Sequence, residues 1–411
     1  MKKNSFSLNI AIFCLLFSSV FSFSRGKKRL KKKASYSKEF LLDPVSTDLP
    51  KEFADCVDIS PLTIDLKYDG KCLKILEFNN LMPSVLRKHG ALYGENIIWK
   101  RFWYYLKNFG LNIWCIGKSW PGNKKFIRFG SRYIPNAKLL KKDAFFNSLD
   151  TKNFNFSEPK IEDYKVIISA RRYRWLRRKY KCLRKRPGVL FLHDIANDYV
   201  DDKYKTNSLF EGEYLKKFKP EWKVYDARYS KKMIKQIKSD FISDTLVIKP
   251  LSSFGGRGVI IVKKDDLDET LKLIFSQKSK IGDMKDKAFR YWKKRKPKKF
   301  LIESFEESKH VFLDRKAFDG TMRVVCVLCC NKGKINLSFL GSYWKLPGKA
   351  ISDAGSLMEK YKSKSNSRDY RTTALKVSLV DAEHVQEILA KILPKLYIKM
   401  IEERQQLFLN A

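Results

Sequence analysis

Short apolar runs separated by polar stretches recur along the chain from about residue 48 onward. Apolar runs bounded by Gly, Pro, Asn or Asp predict strands, and apolar residues at three-to-four spacing predict helices. The predicted strands are 62–66, 73–78, 113–116, 166–168, 188–192, 245–249, 258–262, 299–303 and 322–330, and the predicted helices are part of 84–109, 204–218, 265–277 and 380–406. The alternation of strands and helices predicts a mixed α and β fold.

The first 24 residues have a different pattern from the rest of the chain. Lys2 and Lys3 precede an uncharged, mostly apolar run, which is typical of a secretory signal peptide and less so of an uncleaved membrane anchor. The linker that follows, residues 25–50, begins with a basic run that would stay on the cytoplasmic side of an anchor, and this counts against export. We therefore expect residues 1–24 to be a signal peptide or membrane anchor and the protein to be exported or anchored through them.

Composition narrows the class of protein. The 411 residues suffice for two or three domains, and 44% hydrophobic with 14% aromatic residues exclude a disordered or collagen-like chain. With 85 Lys and Arg against 44 Asp and Glu, the net charge of +41 favours an anionic partner without identifying it. The basic run 171–186, with interleaved aromatic residues, predicts a solvated amphipathic helix more readily than a nucleic-acid site. The basic run 291–299 predicts a surface loop.

The cysteines and histidines match no metal motif. Of the eight cysteines, Cys14 lies in the N-terminal run, and the odd number left in the body argues against a complete disulfide framework. Cys326, Cys329 and Cys330 continue an apolar run and have no second pair at zinc spacing, so we expect buried strand cysteines. The four histidines are too few and too scattered for a histidine-rich site.

Residues 247–262 carry the strongest chemical signal in the chain. Two apolar strands flank a loop whose backbone N–H groups can surround phosphates, because glycine tolerates unusual φ values and close approach. Lys249 at the root of the loop and Arg257 at its tip add positive charge. The loop is not a Walker A loop or a dinucleotide fingerprint, because a strand follows it, and an ordinary glycine-rich hairpin is the alternative. The candidate phosphate-binding residues are Ser252, Ser253, Gly255, Gly256 and Gly258.

With this loop in place, the chain resembles the ATP-grasp superfamily. Lys203, in an Asp-Lys dipeptide, and Lys249 lie 46 residues apart, much like the two phosphate-binding lysines of that family. Arg323 matches the family's arginine that steadies the transferred phosphate. A bound anion is a reasonable partner for this cation among apolar neighbours, and a structural salt bridge is the alternative. Residues 300–305 resemble the family's hinge strand, which faces the adenine base. The resemblance implies that the Glu303 side chain and the backbone of Ser304 and Phe305 face the base.

The magnesium ligands of the family lie at an unexpected place in this chain. No Glu-x-Asn follows the C-terminal helix, but Asp65 precedes Glu77 by 12 residues and Asn79 follows two further on, across a predicted hairpin. Strand alternation puts Glu77 and Asn79 on one face, and three hard oxygen ligands suit Mg²⁺. The resemblance therefore implies a circularly permuted ATP-grasp fold, although exposed carboxylates on an ordinary hairpin would give the same pattern.

The implied fold class is α+β: an ATP-grasp fold in which two α+β lobes clasp a nucleotide, circularly permuted, with an additional α/β linking domain. The expected divisions are a signal peptide or anchor at 1–24, a basic linker at 25–50, the permuted metal-binding strand pair at 51–84, an α/β linking or substrate-side domain at 85–200, and the nucleotide-binding lobes at 201–411.

The resemblance also implies a reaction with ATP and Mg²⁺ as cofactors. A substrate carboxylate attacks the γ-phosphate, and an amine then displaces phosphate from the acylphosphate, with Arg323, Lys249 and Arg257 in catalytic roles. Lys203 and Lys249 hold the phosphates, and residues 252–258 close over them. The carboxylate substrate can be an acidic peptide or another anion. The alternatives are an ATP-grasp phosphotransferase and a non-catalytic basic protein that binds nucleic acid, a less favoured partner, or anionic membrane.

Overall fold

We describe the protein from a computed structural model. It describes residues 39–411 except 82, 109–113, 117–131, 133–137, 141–165, 170–188, 201, 254–255, 278–286, 296, 363–372 and 410–411. The predicted signal or anchor, most of the basic linker and the basic run 171–186 lie outside the described residues.

Strands and helices follow the predicted order. In the described part of the chain, the strands are β1 (Val45–Asp48), β2 (Asp58–Tyr68), β3 (Leu73–Asn80), β4 (Trp114–Ile116), β5 (Lys138–Leu140), β6 (Val166–Ser169), β7 (Val189–Leu192), β8 (Trp222–Asp226), β9 (Thr245–Pro250), β10 (Ile260–Lys263), β11 (Lys299–Ser304), β12 (His310–Leu313), β13 (Lys316–Asp319), β14 (Thr321–Asn331), β15 (Lys334–Lys345) and β16 (Ala374–Leu375). The helices are α1 (Pro83–Tyr93), α2 (Ile97–Lys107), α3 (Asn197–Val200), α4 (Lys203–Ser208), α5 (Glu213–Lys216), α6 (Lys231–Asp240), α7 (Leu267–Phe275), α8 (Lys287–Lys294), α9 (Leu357–Tyr361) and α10 (Leu379–Leu409). The expected α+β class is confirmed.

The largest sheet is antiparallel and has the strand order β1-β15-β14-β2-β3, with β16 paired to β15. β14 is central and buried along its whole length, as its nearly continuous apolar sequence requires. Alternate residues of β14 point to opposite faces of the sheet. Met322, Val324 and Cys326 pack against the long helix α10 on one face, and Val325 and Val327 pack against α1 and α2 on the other. Arg323 lies on the same face as Val325.

A smaller antiparallel sheet has the strand order β10-β9-β11-β8. One of its faces is apolar and packs against α6, α7 and α8, with Ile248 and Phe300 among its fully buried residues. Along β9, Val247 and Lys249 alternate with these core residues and therefore lie on the opposite face. The glycine-rich loop joins β9 to β10, whose register pairs Ile260 with Ile248, so the predicted hairpin is confirmed.

Two further groups of strands complete the fold. The strands β5-β4-β6-β7 form a parallel sheet within the region where alternating runs predict an α/β layer. Its strand β7 adjoins the large sheet, where the N–H of His193 donates to the carbonyl of Ile59 at 2.7 Å. The hairpin β12–β13 connects the end of β11 to β14.

Two local predictions are wrong. The predicted helix 204–218 is two short helices, α4 and α5, because the chain turns between them at Gly212, where φ is +106°. The basic run 291–299 is not simply a surface loop: α8 covers its first part. The Trp292 side chain on α8 is fully buried, and its indole donates to the carbonyl of Gly258 at 2.8 Å.

The cysteine prediction is partly confirmed. Cys326 and Cys329 are buried and are not in disulfides, as expected for strand cysteines. Cys330 is also buried, but it forms a disulfide with Cys56, which precedes β2. A disulfide between segments 274 residues apart is not visible in a cysteine count. Among the described helices, none combines the length and the apolar character needed to cross a membrane.

Candidate functional site

An open cleft of about 730 Å³ lies between the smaller sheet and the large sheet. It brings together strands of both sheets, α9, and the hinge segment, which we define as residues 305 and 306 after β11. The residues that line it are Asp65, Lys67, Leu76, Glu77, Val247, Lys249, Gly256, Val259, Ile261, Glu303, Ser304, Phe305, Glu306, Thr321, Lys345, Tyr361 and Lys362.

The wall formed by the large sheet is a polar row across four strands. In register, Tyr343 of β15 opposes Arg323 of β14, Arg323 opposes Asp65 of β2, and Asp65 opposes Glu77 of β3. Facing positions on neighbouring strands bring side chains of one face within contact distance. The structure therefore brings together three predicted site residues, Arg323, Asp65 and Glu77, that lie far apart in the sequence.

Arg323 and Asp65 form a buried bidentate ion pair. The Arg323 Nε and Nη2 atoms donate to the two carboxylate oxygens of Asp65 at 2.6 and 2.7 Å, and the Lys345 Nζ donates to Asp65 Oδ2 at 2.5 Å. Burial alone would raise the pKa of Asp65, but Arg323 and Lys345 outweigh it and hold that pKa well below its usual range. Of the two interpretations of Arg323 from sequence, the structure shows the salt bridge.

Lys88 of α1 adds a further cation behind this row. Its side chain is buried, and Nζ lies 3.5 Å from the carbonyl oxygen of Thr373. Burial, followed by the charges of Lys345 and Arg323, lowers the pKa of Lys88 to about 7, and Asp65 offsets this only in part. Three cations thus lie near one buried carboxylate.

Glu77 differs from Asp65 in being half-buried and unpaired. It lines the cleft, and within the described residues no cation lies within ion-pair distance of its carboxylate. Asn79 lies two residues further along the same face, opposite Thr63, and its Nδ2 atom is buried without a hydrogen-bond partner. Mg²⁺ commonly takes one or two protein carboxylates and completes its shell with water and phosphate oxygens. Glu77, with Asp65 beside it, fits such an ion, whereas Asn79 does not line the cleft.

The smaller sheet forms the opposite wall, and its centre is a second buried ion pair. Lys249 pairs with Glu303, which also accepts a hydrogen bond from Asn207 at 3.0 Å and lies 3.4 Å from the Lys219 Nζ. Burial would raise the pKa of Glu303, but Lys219 and Lys249 outweigh it and lower that pKa to about 2. Burial lowers the pKa of Lys219 to about 8, an effect that Glu303 partly offsets. Lys249 and Glu303, both predicted site residues, therefore face the cleft as a pair.

The glycine-rich loop is fixed at its ends by neighbouring elements. Lys203 donates to the carbonyl oxygen of Ser253 at 2.6 Å and to its hydroxyl at 3.1 Å, and Tyr291 donates to the carbonyl of Ser252 at 2.9 Å. Gly258 has φ of +75°, and a Cβ there would lie 2.6 Å from a ring carbon of Pro250. Lys203, Ser252, Ser253 and Gly258 thus shape the root of the loop and do not line the cleft.

The remaining predicted residues occupy different positions. Gly256 lines the cleft, Arg257 is exposed outside it, and Gly255 lies outside the described residues. Ser304 and Phe305 line the cleft, but their backbone N–H groups already donate, to the carbonyls of Glu221 at 2.8 Å and Thr245 at 3.0 Å. The backbone N–H groups proposed to face a base are therefore used within the sheet.

Six polar residues of the cleft were not among the candidate site residues from sequence: Lys67, Glu306, Thr321, Lys345, Tyr361 and Lys362. Lys67 pairs with buried Asp319 while its ammonium lines the cleft. A capping box, in which the Ser356 hydroxyl accepts from the N–H of Glu359, begins α9, and this Ser-x-x-Glu pattern is visible in the sequence. It locates a helix start, but nothing in it shows that the end of the helix reaches the cleft.

Comparisons with known proteins give structural similarities only. No family model matches the chain, and no curated protein matches it. A solved structure assigned as a gamma-glutamylcysteine synthetase from Methylobacillus flagellatus KT shares 9% identity, with a TM-score of 0.43, over 86% of this chain and 92% of that one. D-alanyl-alanine synthetase A from Vibrio cholerae shares 12% identity, with a TM-score of 0.31, over 71% of this chain and 81% of that one. At these values, the function of the chain has to be argued from its own residues.

Proposed function

We propose that the chain is an ATP-dependent ligase that activates a substrate carboxylate as an acylphosphate for attack by an amine. One observation carries the proposal: Lys249, at the root of the glycine-rich loop, lines the same cleft as Asp65 and Glu77 from the opposite sheet. These are the segments whose sequences resemble ATP-grasp enzymes. The cleft unites a loop suited to phosphates with carboxylates suited to a divalent cation.

We propose further that the ATP-grasp fold is circularly permuted, with its metal-binding strand pair at the N-terminal end. In support, β2 adjoins β14 in the large sheet and pairs with β3 in a register that opposes Asp65 to Glu77. The strand pair is thus in contact with the arginine-bearing strand although it precedes it by more than 200 residues.

The proposed reaction has two steps. A carboxylate oxygen of the substrate attacks the γ-phosphorus of ATP, the bond to the bridging oxygen breaks, and ADP leaves. The amine nitrogen then attacks the acyl carbon, phosphate leaves, and the nitrogen loses a proton to give the amide. No side-chain nucleophile is needed, so the protein contributes positioning and charge stabilisation.

The cleft residues divide these tasks. Lys249 and Lys345 lie on opposite walls, so their ammonium groups can hold phosphate oxygens from two sides. Arg323 makes a bidentate contact with Asp65, which fixes its guanidinium in the wall formed by the large sheet and places positive charge there. Glu77 and Asp65 would hold Mg²⁺, which neutralises phosphate charge when bound. The loop between β9 and β10 excludes water when it covers the nucleotide.

We also propose that the chain is exported or membrane-anchored through residues 1–24. The Cys56–Cys330 disulfide supports this, because stable disulfides are typical of oxidising compartments. The enzyme would then meet ATP outside the reducing cytosol or after delivery into another cell. Fractionation of cells that express the full-length chain tests this, and a purely cytosolic, reduced protein would contradict it.

The reaction is tested with the full-length chain, Mg-ATP, pooled carboxylates and hydroxylamine, which traps acylphosphates as hydroxamates. We expect ADP release together with hydroxamate formation, and we expect the Glu77→Gln variant to lose both. ADP release without hydroxamate would favour the phosphotransferase alternative. Absence of both, combined with salt-dependent binding to nucleic acid or anionic vesicles, would favour the non-catalytic alternative.

A further inference from the structure

The short helix α9 and Lys362 after it lie between the β12–β13 hairpin and the smaller sheet. The residues before α9 are bonded to the β12–β13 hairpin, where the N–H of Ile351 donates to the carbonyl of Ala317 in β13 at 2.9 Å. The N–H groups of Gly348 and Lys349 both donate to the carbonyl of Glu359 at 3.0 Å, which folds the segment onto α9. The capping box at Ser356 fixes where the helix begins.

On its other side, the segment contacts β10, the edge strand of the smaller sheet. The N–H of Ile261 donates to the Met358 sulfur at 3.1 Å, and the Lys362 ammonium donates to the carbonyl of Val259 at 2.8 Å. These contacts satisfy backbone groups on the outer edge of the sheet. Val259 lies between the glycine-rich loop and β10, so Lys362 is bonded to the backbone that joins this loop to the strand.

The end of this segment also forms part of the cleft wall. Tyr361 and Lys362 both line the cleft and are half-buried. The Tyr361 ring meets the ring of Phe305, in the hinge segment, edge to face with centroids 5.0 Å apart. The Lys67 ammonium lies 5.8 Å from the centre of the same Phe305 ring. An aromatic pair thus stands between two lysines at one end of the cleft.

We propose that Tyr361 and Lys362 belong to the nucleotide site, an inference that rests on the proposed function. Tyr361 and Phe305 provide the aromatic surface against which the purine base packs, because nucleobases stack favourably on such rings. Lys362 binds a phosphate oxygen while it holds the carbonyl of Val259. An ammonium has three donor hydrogens, so both bonds can be made at once. Bound nucleotide and the glycine-rich loop are thereby coupled through one side chain.

The roles of Tyr361 and Lys362 can be distinguished by comparing the affinities of the variants for ATP and for adenosine. We expect Tyr361→Ala to weaken the binding of both ligands about tenfold, because both contain the base. Lys362→Met should weaken ATP binding about tenfold and leave adenosine binding within about twofold, because adenosine has no phosphate. Lys360→Met on the same helix removes an equal charge outside the cleft and should change neither by more than about twofold.

The test is calorimetric titration of the full-length wild type and the variants with Mg-ATP and with adenosine. Tyr361→Phe and Lys362→Arg are the conservative variants, and both should restore binding to within about threefold. Thermal unfolding of each variant shows whether a loss of affinity follows from a loss of structure. Affinity losses that track the melting temperature, or are equal for the two ligands in Lys362→Met, would overturn the inference.

ATP binding by the wild type shows whether a negative result contradicts only the inference about Lys362 or also the proposed function. If the wild type binds ATP and Lys362→Met binds it as Lys360→Met does, Lys362 is not part of the site and the inference alone fails. If the wild type binds no ATP at all, the proposed function fails and the inference fails with it.

Discussion

The two ends of strand β2 offer a comparison between buried carboxylates. Asp65 lies at the cleft, and Asp58 lies seven residues away at the opposite end of the same strand. Their exposed fractions are almost equal, 2% and 1%. Their pKa values nevertheless move in opposite directions, so burial is not what distinguishes the two sites.

The difference lies in the partners of each carboxylate. Asp65 is held by Arg323 and Lys345, whose charges keep its pKa low against the effect of burial. Among the described residues, the hydrogen-bond donors to Asp58 are all neutral: the hydroxyls of Ser60 and Tyr397 and the N–H of Asp194. Burial therefore dominates and raises the pKa of Asp58 to about 6.

This comparison distinguishes a structural carboxylate from one that belongs to the candidate site. A buried carboxylate held by neutral hydroxyls contributes a local structural link at a cost in solvation. A carboxylate whose pKa is strongly shifted by specific charged partners, in a cleft, marks a candidate functional site. The cleft end of β2 has the second character and the Asp58 end has the first.

Asp65→Asn should have the largest effect, because it leaves Arg323 and Lys345 buried without their carboxylate. We expect the free energy of unfolding to fall by about 3 to 5 kcal/mol and ATP turnover to be lost. Urea denaturation and ADP release measure the two effects. The control is Glu77→Gln, which removes an unpaired, half-buried carboxylate. It should lose turnover but change stability by less than about 1 kcal/mol.

Breaking the disulfide should have the next largest effect, at the other end of β2. Cys330 is the register partner of Asp58, so the Cys56–Cys330 bond ties this end of the sheet to the segment before it. We expect Cys56→Ser to lower the free energy of unfolding by about 2 to 5 kcal/mol. Cys72→Ser, at an exposed free cysteine, is the matched control and should have no effect. Equal stability of the wild type with and without reductant would show that the disulfide does not form.

The raised pKa of Asp58 should be visible in the pH dependence of the free energy of unfolding. Its folded pKa of about 6 exceeds its ordinary value of 3.8, so between these values the folded state binds more protons than the unfolded state. Stability should therefore fall by about 2 kcal/mol from this group as pH rises from 4 to 6, and level off near pH 7. Asp65 and Glu303, whose pKa values are lowered, act in the opposite direction: their stabilisation is complete above about pH 5 and is lost as pH falls through their ordinary pKa values of 3.8 and 4.5.

Asp58→Asn should have the smallest effect at pH 7. The Ser60 and Tyr397 hydroxyls can turn from donors into acceptors for the new amide, so we expect a change in stability below about 1 kcal/mol. The variant should also lose the wild-type decrease in stability between pH 4 and 6. Guanidinium titrations at several pH values measure both effects. A variant that keeps the full pH slope would contradict the assignment of this titration to Asp58.

Local structure, including pairing within a hairpin, was largely predictable from the sequence, and pairing between strands distant in the sequence was not. The short turn between β2 and β3 indicates that Asp65 and Glu77 face each other, because a hairpin fixes its own pairing. The contact between Arg323 and Asp65 joins residues 258 positions apart, and no local pattern encodes it. The prediction of a surface loop at 291–299 failed because the sequence does not show that Trp292 is buried. Its hydrogen bond to the carbonyl of Gly258 forms only in the folded chain.

The central claim is that the cleft at the Asp65 end of β2 binds ATP. It is tested most directly by titrating the full-length chain with Mg-ATP, beside Lys249→Met and Asp58→Asn. The account predicts that the wild type and Asp58→Asn bind ATP equally, and that Lys249→Met binds it at least about tenfold more weakly. ATP binding that is undiminished in Lys249→Met, or no binding by the wild type, would contradict it.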